Sequence, residues 1–230
     1  MRILLITLLL SNVLVYGQST IINTSDSGGD FSSNLSPYNS QIVIKKATKS
    51  RIKGHVYNEE SNKLATIYIG KRKSTRSFVR YNAFNGEMEM TVEGGKVYNM
   101  IKRDGVKVVL DDGYTYTIFD HEGLKQFFVV KNKNKGRFSL LLKIAKKIKQ
   151  GRPGRGGYGN SIPSKYIEDN KYFIFDSEKG EMMNVKLKKK EILHVLGKKN
   201  EIEKFTSSNK LSYKKEKHIV KIINYYNTLL

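Results

Sequence analysis

Hydrophobic and polar residues alternate with a period of two over much of this chain. In Glu87-Met88-Glu89-Met90-Thr91-Val92-Glu93, the residues Met88, Met90 and Val92 share one face, and charged or hydroxyl side chains take the other. Tyr114, Tyr116 and Ile118 repeat the pattern against Thr115 and Thr117. Successive side chains of a strand point to opposite faces, so this alternation predicts half-buried strands with one wet face. Turn pairs punctuate the pattern at Asn85-Gly86, Gly94-Gly95, Asp104-Gly105, Asp112-Gly113 and Glu122-Gly123. The first four are pairs that accept the positive φ of tight hairpins. Their spacing, roughly 8–12 residues, is that of short antiparallel strands. Strands are predicted near 64–70, 75–83, 87–93, 96–103, 106–110, 114–120, 124–131, 137–144, 171–176 and 181–187. The fold class is therefore mainly β (α+β): an antiparallel β-meander, as a curled sheet or partly closed barrel that protects its edges, with short C-terminal helices.

Residues 138–149 fit two periods. Leu141, Ile144, Ala145 and Ile148 would share a helix face, whereas Phe138, Leu140, Leu142 and Ile144 would share a strand face. A basic amphipathic helix here would suit an anionic membrane surface; the hairpin context favours the strand. The run Gln150 to Asn160 holds five glycines, one proline and two arginines and reads as the body of a long loop over 150–165. It lacks the G-K-[ST] ending of a phosphate cradle. Towards the end the period changes. Ile192, Leu193 and Leu196 predict a short helix stopped by Gly197. Asn200 with Glu203 has capping-box spacing for a second helix. Ser212 is placed to cap a third, in which Ile219, Ile222, Ile223 and Tyr226 form an apolar stripe.

The first residues have the order of a secretory leader. Arg2 is followed by the apolar run Ile3 to Leu10, by Val13 to Val15, and by the small or polar exit Gly17, Gln18 and Ser19. The run is broken by Ser11 and Asn12 and falls short of the ~20 residues a helical span needs. The expected layout is a signal peptide over 1–17, a polar lead-in over 18–62, an antiparallel β domain over 63–188 and a helical segment over 189–230. Ile42–Ile44 and His55–Tyr57 are candidate short strands within the lead-in. Export permits disulfides, yet the chain has no cysteine, so stability must come from packing and sheet hydrogen bonds.

Charge changes the picture most. The chain has 42 Lys+Arg against 21 Asp+Glu, a formal +21. Between Glu122 and Glu168 there is no acidic residue but twelve basic ones, from Lys125 to Lys165. Such a surface attracts polyanions in a salt-dependent way. Within it Lys143, Lys146, Lys147, Lys149, Arg152 and Arg155 are the candidate polyanion-binding residues. Outside the cytoplasm the candidate partners are anionic glycan, lipopolysaccharide, the membrane surface or an envelope protein, with nucleic acid disfavoured. Catalytic and metal signals are weak. His55, His121, His194 and His218 have no ligand partner at helical i, i+4 spacing. Asp120-His121-Glu122 falls in a predicted turn, and no serine lies in a G-x-S-x-G elbow. No catalytic residue, metal site or cofactor is assigned.

The leader ending near Gly17-Gln18, the segment Arg80 to Glu89, the Lys-rich strand before a Pro/Gly loop, and the ending Leu187 to Leu230 with Asn224-Tyr225-Tyr226-Asn227 are together similar to a group of uncharacterised small exported β-rich proteins of flavobacteria and other Bacteroidetes. The resemblance implies an envelope location and a β-rich fold with helices at its end. It transfers no activity and no functional residues, and the loop at 151–159 is richer in glycine than the group's pattern. The leading expectation is a non-enzymatic binding module of the envelope. A lipocalin-like carrier of a small apolar ligand and an envelope hydrolase are the alternatives.

Overall fold

Alternation becomes structure along most of the chain. A computed structural model describes residues 52–132, 136–152 and 161–230. The predicted leader and the predicted Ile42–Ile44 strand lie outside the described residues. The strands are β1 (Lys63–Ile69), β2 (Arg72–Asn82), β3 (Glu87–Thr91), β4 (Val97–Asn99), β5 (Val106–Leu110), β6 (Thr115–His121), β7 (Leu124–Val130), β8 (Phe138–Lys143), β9 (Lys146–Lys149), β10 (Lys165–Glu168), β11 (Lys171–Asp176) and β12 (Glu181–Val185). The helices are α1 (Lys189–Leu196), α2 (Lys199–Ser208) and α3 (Glu216–Asn227).

Ten strands form one antiparallel sheet in the order β12-β11-β8-β7-β6-β5-β1-β2-β3-β4. The order departs from a simple meander at two points, between β5 and β1 and between β8 and β11. After β4 the chain returns past β3 and β2, and β5 pairs with the far side of β1. The sheet stays open, with β12 and β4 as its edges, but it curls. Tyr81 on β2 and Phe127 on β7 lie four strands apart, about 19 Å on a flat sheet, yet their ring centroids are 6.3 Å apart. Tyr81 also meets Tyr116 at 5.0 Å. The inner face of the curl is filled by these rings with Ala65, Val79, Met88, Val108 and Val129. Among the described residues the sheet therefore does not close into the barrel that a carrier would need.

On the same face, beyond the curl, Phe138, Leu140 and Ile174 receive the helices. The predicted stripe Ile219, Ile222, Ile223 and Tyr226 is buried there together with Ile192, Leu196 and Ile202. The opposite face carries a smaller cluster of Phe128, Leu141 and Phe173. Phe128 and Phe173 meet edge to face at 5.5 Å.

Several local expectations are corrected. The segment 138–149 is extended, as its alternation predicts, but it breaks at Ile144-Ala145. Its second half, β9, leaves the main sheet and pairs with β10 in a two-stranded ribbon. His55–Tyr57 forms no strand. The lead-in is nonetheless held at Lys53, which bridges Lys165, and at Tyr57, which bridges Asn82. Gly197 ends α1 as expected, its N–H donating to the Leu193 carbonyl. Asn200 is not a cap but lies inside α2, whose N-cap falls two residues earlier at Lys198, in the left-handed region at φ 38°. Ser212 caps no helix. Its hydroxyl accepts from Lys214 N–H, and its own N–H donates to His218 Nδ1.

One turn carries a steric demand beyond its dihedral. Gly105 sits at φ +79°, and a Cβ there would lie 3.0 Å from the Gly70 nitrogen, whose N–H donates to the Gly105 carbonyl. Gly113, at φ +93°, has nothing within 4 Å. Gly113→Ala is expected to cost about 1–2 kcal/mol from the left-handed backbone alone. Gly105→Ala should cost distinctly more, as urea unfolding of the two variants side by side will measure.

Candidate functional site

Antiparallel register decides which lysines of the acid-free stretch come together. β8 pairs with β11 so that Lys143 stands directly opposite Lys171. β9 pairs with β10 so that Lys149 stands directly opposite Lys165. Like charges directly opposite in a ladder destabilise it. Two such pairs close together in the chain mark positions where local stability alone does not explain the residues chosen.

The predicted row thus divides. Lys146 turns inward, its ammonium donating to the His55 carbonyl at 2.9 Å. Lys147 is paired with Asp169 at 2.6 Å. Lys149 and Arg152, with Lys165, line a groove of about 290 Å³ that also includes Gln150, Ile162 and Pro163. Arg152 is fixed there by reciprocal backbone bonds with Ile162, at 2.8 and 2.9 Å. Arg155 lies outside the described residues. Lys143 does not join this group. It lines a separate cleft of about 660 Å³ with Lys171 and Lys186. Sequence reasoning missed Lys165 as a site residue, and it missed Lys171 and Lys186 entirely. Lys171 and Lys186 sit in stretches that also carry acids, and only strand register brings them to the cleft.

The electrostatics of Lys143 follow from its position. Burial draws its ammonium below the ordinary lysine value, Lys171 across the ladder pushes the same way, and Lys102 adds to it, while Glu122 opposes. At the far end of the same two strands the charge is matched instead. Arg137 grips Asp176 through Nε at 2.9 Å and through Nη2 at 2.7 Å. The Asp176 carboxyl is held below the usual range by the Arg137 hydrogen bond, helped by the Glu178 and Lys179 N–H groups.

Among the described residues no group of three or more His, Cys, Asp or Glu is placed to hold a metal ion. His121 ends β6, and Glu122-Gly123 form the turn to β7 with both residues at positive φ. None of the described helices is long and apolar enough to cross a membrane. The class that fold and site define is an open, curled antiparallel sheet with C-terminal helices on one face and two cationic depressions. No family model, no curated protein and no solved structure matches the chain.

A lysine whose charged form is disfavoured by folding takes up protons more readily in the unfolded chain. Between its depressed value and the ordinary ~10.4, stability therefore rises with pH. Below that window the wild type carries the full penalty. Lys143→Met is expected to unfold at a higher temperature than the wild type at pH 7, by an amount equivalent to ~0.2–1 kcal/mol. That gain should shrink as pH approaches 10, which thermal melts at the two pH values will check.

Proposed function

We propose that the chain is an exported, non-enzymatic binding protein of the cell envelope that engages an anionic polymer through the β9–β10 ribbon. The partner class is an acidic glycan or the anionic portion of lipopolysaccharide. The observation that carries this reading is the placement of Lys149 directly opposite Lys165, with Arg152 lining the same groove. Among the described residues none of the three has a carboxylate within ion-pair distance, whereas Lys147 beside them does. A polyanion laid along the groove turns the repulsion between these cations into attraction, and its binding would weaken with salt. The formal charge of +21 supports the same reading. The leader-like first residues support a location where such polymers occur and nucleic acid is scarce.

Two outcomes are expected. The chain should be retained on heparin at physiological salt, and a Lys149→Gln/Arg152→Gln/Lys165→Gln variant should elute at clearly lower salt with its fold unchanged by circular dichroism. Free flow-through of the wild type would remove the polyanion and leave an envelope protein as partner. Expression in a bacterial host should yield protein whose N-terminus begins at Gln18, read by N-terminal sequencing. Recovery of the full-length chain in the cytosol would contradict export.

A further inference from the structure

The larger cleft carries chemistry of its own. β8 and β11 deliver Lys143 and Lys171 to one end of a sheet face, directly across the ladder. Lys186, just past β12, completes the lysines of the lining; His121, Asn184 and Phe173 belong to the same lining. Phe173 is buried, and the His121 ring packs on it at 4.8 Å. The floor is therefore rigid and apolar, and polar groups stand at the rim. The volume of about 660 Å³ lies within the ~300–1,000 Å³ of small-molecule sites.

The lysines here differ from their neighbours in one respect. Lys102 is paired with Glu87, Lys125 with Asp104, Lys131 with Glu216 and Lys147 with Asp169. Among the described residues, Lys143, Lys171 and Lys186 have no carboxylate within ion-pair distance. Two acids line the cleft, Glu122 and Asp169. Asp169 is already taken by Lys147, and the Glu122 side chain is 79 % exposed, facing solvent beside His121. Glu122 acts on Lys143 and Asp169 on Lys171 only at a distance, so three lysines against two acids leave the cleft with excess positive charge and no direct ion pair to Lys143, Lys171 or Lys186 among the described residues. Among the described residues no arginine lines it. Planar, two-pronged recognition of carboxylate or phosphate favours arginine, whereas lysine ammonium groups act as compact point charges. Two such charges facing each other attract a phosphomonoester, with about two negative charges at neutral pH, more than a singly charged carboxylate.

We propose that this cleft is a discrete binding site for a phosphomonoester, the group carried by a free sugar phosphate or by a phosphorylated lipid headgroup. Lys143 and Lys171 hold the phosphate between them, Lys186 neutralises it from the rim, and Asn184 supplies an amide that can orient the attached group. The site goes beyond the polymer-binding ribbon and shares none of the residues proposed to act there, so either can fail without the other.

The test uses the full chain with glucose 6-phosphate in calorimetry, and in parallel with phosphatidylcholine vesicles with and without phosphatidic acid. Binding to the phosphomonoester is expected, with glucose and glucuronate bound much more weakly. Lys143→Gln and Lys171→Gln should each weaken it about tenfold or more, and Lys149→Gln should leave it unchanged. Lys186→Gln, outside the strands, gives the same reading if a strand variant fails to fold. Preference for the soluble ligand points to a free sugar phosphate, and preference for the phosphatidic acid vesicles to a lipid headgroup; either upholds the site. Absence of binding in both arms, equal affinity for glucuronate, or binding that survives Lys171→Gln and Lys186→Gln would overturn it.

Discussion

The structure depends on β8, which like its neighbours β7 and β11 is covered on both faces but alone of the three places buried residues in all three core clusters. Leu140, Leu141 and Leu142 are consecutive in β8, and all three are buried. Because neighbouring side chains of a strand point in opposite directions, such burial requires packing above and below the sheet at once. Leu142 belongs to the core inside the curl, Leu140 to the core beneath the helices, and Leu141 to the aromatic cluster on the reverse face. The same strand joins β7 to β11, although β9 and β10 intervene in the chain between β8 and β11. Its N-terminal end is held by Asn227 of α3. That amide accepts from Phe138 N–H at 2.8 Å and donates to Phe138 O at 2.9 Å. Three regions of core and the C-terminal helix thus meet on six residues.

That strand also sets the charge pattern. At one end of the β8–β11 ladder, beside Phe138, the buried Asp176 carboxylate is matched by Arg137. At the other end Lys143 stands directly opposite Lys171, and among the described residues neither is in an ion pair. A ladder closed electrostatically at one end and open at the other has a rigid base and a reactive rim. Precise placement of a charged group needs such a base, because a lysine on a loop would spend its charge on solvent and on whichever carboxylate swings by. The net charge matters less than its distribution. Acids are matched to Lys102, Lys125, Lys131 and Lys147, and six of the cations without such a match line the two depressions.

Most of the sheet was legible in the sequence because half-buried strands announce themselves by alternation, as at Met88 and Met90 or Tyr116 and Ile118. The apolar stripe of α3 was legible for the same reason at a different period. The β9–β10 ribbon was not, because strands of four residues rich in lysine offer one or two apolar positions and little pattern. The return of β5 to β1 was not either, since alternation says which residues are inside and nothing about which strand lies next to which. Helix starts were misplaced where backbone geometry substitutes for a side-chain cap, as at Lys198. The candidate site was half legible. The acid-free stretch pointed to Lys143, Lys149 and Arg152, but pairing across the ladder decided that Lys143 joins Lys171 and not Lys149, and local partners took Lys146 and Lys147 out of the set.

Native-state hydrogen exchange tests the central role of β8 most directly. The amides of Leu140, Leu141 and Leu142 should exchange only through global unfolding, with the highest protection in the molecule, while the edge strand β4 opens at lower free energy. Exchange of those three amides by a local opening, with β1, β2 and α3 still protected, would contradict the claim that the rest of the fold is built on that strand.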